Sequence, residues 1–400
     1  MNVLATKRSF FDIFIVGAGN GINAILGLLF FTAVARSLSI EDFGKYALLT
    51  SLLVSLSKIM DFGTNSLFVA KSITKPQDYI SRFFSLKLIL FLVTSVVAGI
   101  ILYKLDLLSF QILKIFLIGA FGYGLNITLF AYFQRMSDFV KAVALNTLSA
   151  TVKAIFAGSI FFHLLSVDLE LAYAIFSGSI FTCILLIPWL PKGFWHPKVS
   201  LQNVKSFFLE ALPAGISQII KEGWSALANS LAKLTNTFSE VGIYSLASKI
   251  ADIFTLISLS IFTVLLPRNA QRKKDNEIYD MKETLLLSGG VLFLALVAMV
   301  TARYLTVPIF GEKFSASLGL LNILILAAAI TAVHSFMDNY FFVEEKTKTL
   351  MKIGVSKLIF FVGSALILTN LYDLRGLAIS NLLASIFALI LTLRIIFKRS

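Results

Sequence analysis

Twelve long apolar runs divide this chain, and each is long enough to cross a lipid bilayer. A membrane-spanning helix needs about 20 mostly apolar residues. Backbone groups in hydrocarbon must be satisfied within the segment, and the runs lack the alternation of a membrane barrel, so we predict helices. The predicted spans are residues 13–35, 46–70, 83–103, 112–133, 140–162, 169–190, 207–231, 241–266, 284–308, 316–342, 353–369 and 374–396.

The composition excludes a soluble protein. The 400 residues are 58% hydrophobic and 14% charged, and 38 of them are Phe, whereas a soluble domain carries about 25% charged residues. No globular core could hide this much apolar surface. The first run is longer than the apolar region of a signal peptide and has no small-residue cleavage pattern, so we predict a retained span. The lone Cys183 lies in an apolar run, where we predict a packing role.

A short pattern near the beginning of the chain recurs in its middle. Residues 8–11 read Arg-Ser-Phe-Phe, and residues 205–208 read Lys-Ser-Phe-Phe, 197 positions later. Residues 43–48 and 241–246 are similar at an offset of 198, and a weaker match follows at an offset of 208. Chance similarity in an apolar sequence is the alternative to a duplicated unit.

Six predicted spans precede the second copy and six follow it. An even number of spans returns the chain to its starting side, so the halves should be parallel repeats. We therefore predict an all-α polytopic membrane protein whose two six-helix bundles, residues 1–198 and 199–400, enclose a central cavity.

The distribution of Lys and Arg predicts the orientation. With a cytoplasmic N-terminus, 22 of the 35 Lys and Arg fall on the cytoplasmic side and 8 on the outer side. Cytoplasmic loops carry this excess, so both termini should be cytoplasmic. The net charge of +13 is then explained by topology and by attraction to anionic lipids. It does not indicate nucleic-acid binding.

Several charged residues lie inside the predicted spans, where they are costly and usually face a bundle interior or a wet cavity. Spans 2 and 8, which are equivalent in the repeat, each carry a Lys-x-x-Asp pair. The candidate residues for substrate binding are Lys58, Lys153, Lys221, Lys249, Asn20, Asn23, Ser217, Gln218, Ser225 and Asn229. The candidate charge partners or coupling groups are Asp61, Asp252, Glu222 and Asp338.

Each candidate also has a purely structural explanation. The two Lys–Asp pairs could neutralise each other and lock helix packing, and the Gly/Asn face of span 1 could be small-residue packing. Asp338 could lie near a span boundary. Lys357, in span 11, lies near enough to the cytoplasmic end to extend its amine to the interface, which is our prediction for it.

The lysines outnumber the acids inside the spans, so a cavity between the halves would be polar and mildly cationic. Such a cavity suits a phosphate or pyrophosphate with sugar around it. Lysine would act on phosphate as a point charge, while hydroxyl and amide side chains of span 7 would bind sugar hydroxyls.

Five segments resemble one family of transporters. Residues 34–48, 61–65, 241–249, 265–268 and 309–314 are similar, in order, to the motifs of polysaccharide flippases. These belong to the multidrug/oligosaccharidyl-lipid/polysaccharide exporter superfamily. The resemblance implies an O-antigen-type (Wzx-like) flippase, which moves a polyprenyl-pyrophosphate-linked oligosaccharide to the periplasmic leaflet by alternating access. It also implies two six-helix bundles around a cationic cavity in the bacterial inner membrane.

In the related lipid II flippases, bases on helices 1, 2 and 8 bind the substrate. Here Lys58 and Lys249 match helices 2 and 8, whereas helix 1 offers Asn20 and Asn23, which argues against lipid II as the substrate. The resemblance further implies membrane lipids, a polysaccharide polymerase and a chain-length regulator as partners, and no cofactor other than a coupling ion, H⁺ or Na⁺.

Two other functions are weighed against the flippase. A drug or cation antiporter of the same superfamily would favour carboxylates over lysines in its cavity. A membrane enzyme, such as a polymerase or ligase, would usually need a long outer loop with catalytic groups. His163, His196 and His334 are scattered in the sequence and predict no catalytic cluster, so we expect no enzyme.

Overall fold

The structure of the chain is a computed structural model. It describes the backbone of residues 3–65, 68, 76–136, 138–189, 205, 208–209, 211–212, 215–216, 219–220, 223–254, 281–344 and 346–397. Within these residues every regular element is a helix and no strand occurs, which confirms the predicted all-α class.

The chain divides into two compact units. The first unit, Met1–Leu227, contains six helices that follow predicted spans 1–6. They are α1 Val3–Ser37, α2 Ile40–Asp61, α3 Pro76–Lys104, α4 Phe110–Arg135, α5 Phe139–Phe161 and α6 Leu169–Ser179, and α6 continues as a 3-10 helix over Ile180–Trp189. α4 packs against α2, α3, α5 and α6, while α1 packs mainly against α5.

The second unit is Ala228–Ser400. Its helices are α7 Trp224–Thr235, which begins in the first unit, α8 Phe238–Ala251, α9 Met281–Phe310, α10 Leu318–Val343 and α11 Thr347–Phe397, with a 3-10 helix Glu312–Ser317 before α10. α10 packs against α8, α9 and α11. The predicted boundary at 198/199 falls outside the described residues and stays a prediction.

α11 folds back on itself. Lys357 donates a hydrogen bond to Thr331, and the hydroxyl of Ser385 lies 2.8 Å from that of Thr331. A straight helix would separate Lys357 and Ser385 by about 42 Å, yet both meet one residue of α10. The chain must therefore reverse between them.

The reversal lies at two residues of α11 with non-helical backbone, Tyr372 and Asp373. Asp373 has a φ of 50°, in the left-handed region that residues other than glycine rarely adopt. Gly376 follows, and a Cβ there would lie 1.8 Å from the carbonyl oxygen of Leu368. Glycine is therefore needed where the two limbs meet, and the limbs correspond to predicted spans 11 and 12.

Nine helices among the described residues are long and apolar enough to cross a membrane, and the last is the folded stretch 348–397. α7 and α8 are shorter where they are described. The predicted total of twelve spans therefore stays a prediction, although α1–α10 and the two limbs of α11 follow the predicted order.

The helices that are least buried by the rest of the protein expose many apolar side chains. On α9, Leu286 is 78% exposed, and Phe293, Leu296 and Val300 are exposed as well. Contiguous apolar surface of this kind is not stable in water. We conclude that the chain is a multi-pass membrane protein.

The two units begin their second helix in the same way. Ser39 caps α2 and Thr237 caps α8, and each side chain accepts a hydrogen bond from the backbone N–H three residues on. Seven residues after each cap lies a buried tyrosine, Tyr46 or Tyr244. Both pairs are separated by 198 residues, the offset of the sequence match.

The weaker sequence match also has one local structure in both units. Tyr132 meets Phe133 edge to face at 5.7 Å in the first unit, and Tyr340 meets Phe341 in the same manner at 5.5 Å in the second. Both phenylalanines are buried. Cap, buried tyrosine and aromatic pair thus recur in order.

Candidate functional site

A buried polar cluster closes the end of α2 in the first unit. A carboxylate oxygen of Asp61 lies 3.7 Å from the Nζ of Lys87 on α3. The same Nζ donates to the backbone carbonyl of Met60 and to the Oδ1 of Asn65, each at 2.9 Å. The backbone N–H of Asn65 donates to Asp61 at 3.1 Å. The two hydrogen bonds of Lys87 and the Oδ1 of Asp61 thus help to fix the turn after α2.

Lys87 was missed as a site residue, because the topology count placed it with the cytoplasmic lysines. It is buried inside α3. The signal in the sequence that could have identified Lys87 was its position within predicted span 83–103. Lys58, one turn before Asp61, is half-buried, and its charge acts on Lys87. The acid of the first Lys-x-x-Asp pair therefore has a partner on a neighbouring helix.

Lys153 of α5 lies against an aromatic surface. Its Nζ is 5.1 Å from the ring centroid of Phe176 on α6, and Phe176 in turn meets Tyr46 of α2 edge to face at 6.3 Å. Attraction between an ammonium group and an aromatic face stabilises a cation where water is scarce. Three helices therefore position this amine inside the first unit.

In the second unit, α7 and α8 are joined by a buried hydrogen bond. The hydroxyl of Ser245 donates to the Oδ1 of Asn229 at 2.9 Å, and Asn229 is 3% exposed. Lys249 is exposed and Asp252 is half-buried at the end of α8, where the two interact electrostatically. Asn229 is thus engaged in packing, while Lys249 is accessible.

A second polar cluster lies between α10 and α11. The Nε2 of His334 is 3.8 Å from Asp338, one turn further along α10, and 3.0 Å from the hydroxyl of Thr392 on α11. Lys357 donates to Thr331 at 3.3 Å. No cluster that contains a histidine was predicted from the sequence. The available signal was that His334 and Asp338 are four residues apart and so share a helix face.

The prediction that Lys357 extends to the membrane interface was wrong. Lys357 lies ten residues into α11, about 15 Å along its axis, which is half the thickness of a bilayer core. Its amine bonds to Thr331, at the middle of α10. The amine of Lys357 bonds to a hydroxyl inside the bundle and does not extend to the membrane interface.

The remaining candidate residues differ in their exposure. Asn20 and Ser225 are exposed, and Asn23 is half-buried. The buried Oδ1 of Asn23 has no hydrogen-bond partner among the described residues. The candidates that lie outside the described side chains are Ser217, Gln218, Lys221 and Glu222. Binding of substrate by any of the predicted residues stays a prediction.

The first unit also contains an apolar cavity of about 480 Å³. Its lining includes Phe62, Leu90 and Val93, and Phe208 stacks on Phe62 with ring centroids 5.0 Å apart. Lys205, from the second Lys-Ser-Phe-Phe pattern, contributes the charged side chain. The lining suits hydrocarbon and offers little to a sugar.

Within the described part of the chain, no group of three or more His, Cys, Asp or Glu could hold a metal ion. The described polar clusters contain ammonium groups, carboxylates, an imidazole and hydroxyls held by helices. Such groups are retained in a membrane when they pair with one another or face a wet pathway. They can bind an anionic headgroup or carry a proton.

Solved structures with a similar fold are transporters. A MATE multidrug resistance transporter in an inward-facing conformation matches with a TM-score of 0.72 at 15% identity, over 94% of this chain and 95% of that one. The lipid II flippase MurJ, in an inward closed conformation, matches with a TM-score of 0.72 at 14% identity, over 99% and 87%. At these identities the matches establish the fold alone.

The family described as "Polysaccharide biosynthesis protein" matches residues 11–273. No curated protein sequence matches the chain significantly. The family match covers more than half of the chain and includes most of α1 and all of α2–α8. The chain therefore belongs to the polysaccharide biosynthesis protein family of multi-pass membrane proteins.

Proposed function

We propose that this chain is a flippase for a polyprenyl-pyrophosphate-linked oligosaccharide, such as an O-antigen repeat unit, in the bacterial inner membrane. Both termini are cytoplasmic, and transport proceeds by alternating access. The observation that carries the proposal is the polysaccharide biosynthesis family match over residues 11–273 on a fold that a lipid II flippase also has.

The charge balance supports an anionic substrate. Ammonium groups on α2, α5 and α8, from Lys58, Lys153 and Lys249, bind the pyrophosphate, together with Lys221. Lys153 is held against the ring of Phe176, which positions its charge inside the first unit. Charge-assisted hydrogen bonds between ammonium groups and a diphosphate are stronger than neutral ones.

The sugars are bound by neutral polar groups. Asn20, Asn23, Ser217, Gln218, Ser225 and Asn229 are the assigned residues. Asn23 supports the assignment because its buried Oδ1 is available to accept a hydrogen bond from a hydroxyl. The acids Asp61, Asp252, Glu222 and Asp338 balance the lysines between transport steps.

Complementation of a flippase-null strain tests the assignment. Lys58→Ala, Lys153→Ala and Lys249→Ala should each abolish surface polysaccharide while protein levels stay normal, and Lys153→Arg should restore part of it. Lys104→Ala is the matched control, since Lys104 is an exposed lysine at the end of α3 outside the proposed site. Normal polysaccharide in all three alanine variants would refute the site.

A drug or cation antiporter is the second candidate, because a MATE multidrug transporter matches as well in fold as the flippase does. If the chain is such an antiporter, a knockout strain becomes sensitive to cationic drugs while its surface polysaccharide is unchanged. The flippase proposal predicts the reverse. Membrane lipids, a polysaccharide polymerase and a chain-length regulator are the proposed partners, and the protein is proposed to catalyse no chemical reaction.

A further inference from the structure

The cluster between α10 and α11 contains the one described histidine that faces both a carboxylate and a second helix. His334 lies 3.8 Å from Asp338 on its own helix and 3.0 Å from Thr392 on α11. Its side chain is 12% exposed and that of Asp338 is 20% exposed. The proposed substrate site uses neither the imidazole nor Thr392, so this geometry needs an explanation of its own.

We propose that His334 and Asp338 form a proton-binding site whose occupancy controls the contact between α10 and α11 and couples transport to a proton gradient. Histidine changes charge near neutral pH more readily than any other side chain. Ionisable residues inside membrane bundles typically mark proton pathways. The coupling step rests on the proposed flippase function, whereas the proton site does not.

Proton uptake exchanges the partner of Nε2. In the neutral ring with its proton on Nδ1, Nε2 accepts the hydroxyl proton of Thr392 and ties α10 to α11. A proton from water converts Nε2 into a donor, and the carboxylate of Asp338 is then its strongest acceptor. The hydroxyl of Thr392 loses its acceptor, so the link to the second limb of α11 is released. Loss of the proton to water on the other side restores the link.

The charges around the histidine act in opposite directions: the carboxylate of Asp338, 3.8 Å away, attracts a proton to the imidazole, whereas the charge of Lys357 repels it. Asp338 and Lys357 also act on one another and balance each other in the neutral state. Uptake of a proton gives His334, Asp338 and Lys357 together a net charge of +1. α8, which also packs against α10, carries Lys249 and Asp252, and these interact with each other. These two residues therefore do not neutralise the added charge, which remains between α10 and α11 and opposes their close packing.

The same geometry favours a proton over sodium. Sodium would need several oxygen ligands from the hydroxyls and the carboxylate. The ammonium group of Lys357 already donates to Thr331, whose hydroxyl is 2.8 Å from Ser385. A fixed positive charge among the candidate ligands repels a metal cation, whereas a proton needs only the imidazole.

The proton site is tested first without substrate. In purified full-length protein with isotope-labelled histidine, the ring signal absent from His334→Asn should shift as the pH is lowered from about 8 to about 3. Asp338→Asn should move that shift to another pH range. The exposed His163 gives the matched control: His163→Asn should leave the His334 signal unchanged. A His334 signal that stays constant over this range in the unmodified protein would overturn the proton site.

Coupling is tested in proteoliposomes with a lipid-linked oligosaccharide. A pH gradient should accelerate translocation by the unmodified protein. His334→Asn and Thr392→Val should reduce that acceleration about tenfold or more while keeping gradient-free exchange. Thr392→Ser should restore it, which separates loss of the hydroxyl from misfolding. Full acceleration in His334→Asn, or acceleration by a sodium gradient instead, would overturn the coupling. If the unmodified protein translocates nothing, the flippase proposal fails and the ring signal alone decides the proton site.

Discussion

Asp61 and Lys87 form an ion pair within the first unit, with oxygen and nitrogen 3.7 Å apart and side chains 9% and 7% exposed. The pair joins the end of α2 to α3, and the lysine also holds the backbone of Met60. Breaking a buried pair by removing one partner typically costs about 3–5 kcal/mol, because an uncompensated charge remains. This pair therefore fixes the position of the helix that carries Lys58.

Removal of Lys87 should destabilise the protein strongly. Lys87→Met leaves Asp61 buried without its cation, so we expect a loss of about 3–5 kcal/mol in unfolding free energy. The double variant with Asp61→Asn should recover part of the loss, and denaturant unfolding in detergent measures this coupling. Lys141→Met is the control, because its pair with Asp138 is much more exposed and should contribute less than about 1 kcal/mol. Equal effects of Lys87→Met and Lys141→Met would contradict the account.

Asn229 offers a separate test of packing against substrate binding. Its Oδ1 accepts from the Ser245 hydroxyl in a buried position. Ser245→Ala should cost about 1–3 kcal/mol, since the acceptor loses this donor. If Asn229 acts only in packing, Asn229→Ala lowers protein level and stability but leaves transport per molecule unchanged. A normal protein level with reduced transport would support the substrate contact predicted from the sequence.

Gly376 should be irreplaceable at the reversal of α11. A Cβ at this position would meet the Leu368 carbonyl oxygen at 1.8 Å, and backbone cannot move aside as a flexible side chain can. Gly376→Ala should therefore cost about 3 kcal/mol or more, at or above the usual overpacking range. Gly363→Ala on the same helix meets nothing within 4 Å and should be neutral or slightly stabilising. Thermal unfolding of both variants in detergent makes the comparison, and similar midpoints would contradict the reversal.

The sequence predicts the helices and the repeat well because both depend on patterns of residue type. Hydropathy alone locates α1–α6, and the capping residue Thr237 is recognisable from its spacing to Glu240. The partners of the buried charges were not predictable in the same way. Lys87 and Lys357 each bond to a different helix, and hydropathy contains no information about which way a side chain turns or what it meets.

Asp138 should make the stability of the first unit depend on acid pH. Its carboxylate caps α5, accepting from the backbone N–H of Lys141 at 3.3 Å. The hydrogen bond from the Lys141 side chain, with smaller help from that N–H and from charge, holds the pKa of Asp138 below its usual 3.8 against the opposing effect of burial. A carboxyl whose pKa is lower in the folded state stabilises above its unfolded pKa, and the effect disappears as pH falls through the folded value.

We therefore expect Asp138→Ala to lower stability by about 1 kcal/mol, the typical value of an N-cap. The difference from the unmodified protein should be constant between pH 6 and 8 and shrink below about pH 4. Denaturant unfolding over this range measures it. A difference that grows on acidification would show that Asp138 acts in some other way.

Translocation of a defined polyprenyl-pyrophosphate-linked oligosaccharide in proteoliposomes tests the central claim most directly. The account predicts that the purified protein moves this lipid between leaflets, that Lys58→Ala and Lys249→Ala stop the movement, and that Lys104→Ala does not. Failure of the unmodified protein to move a panel of such lipids, together with uptake of cationic drugs by the same vesicles, would contradict it.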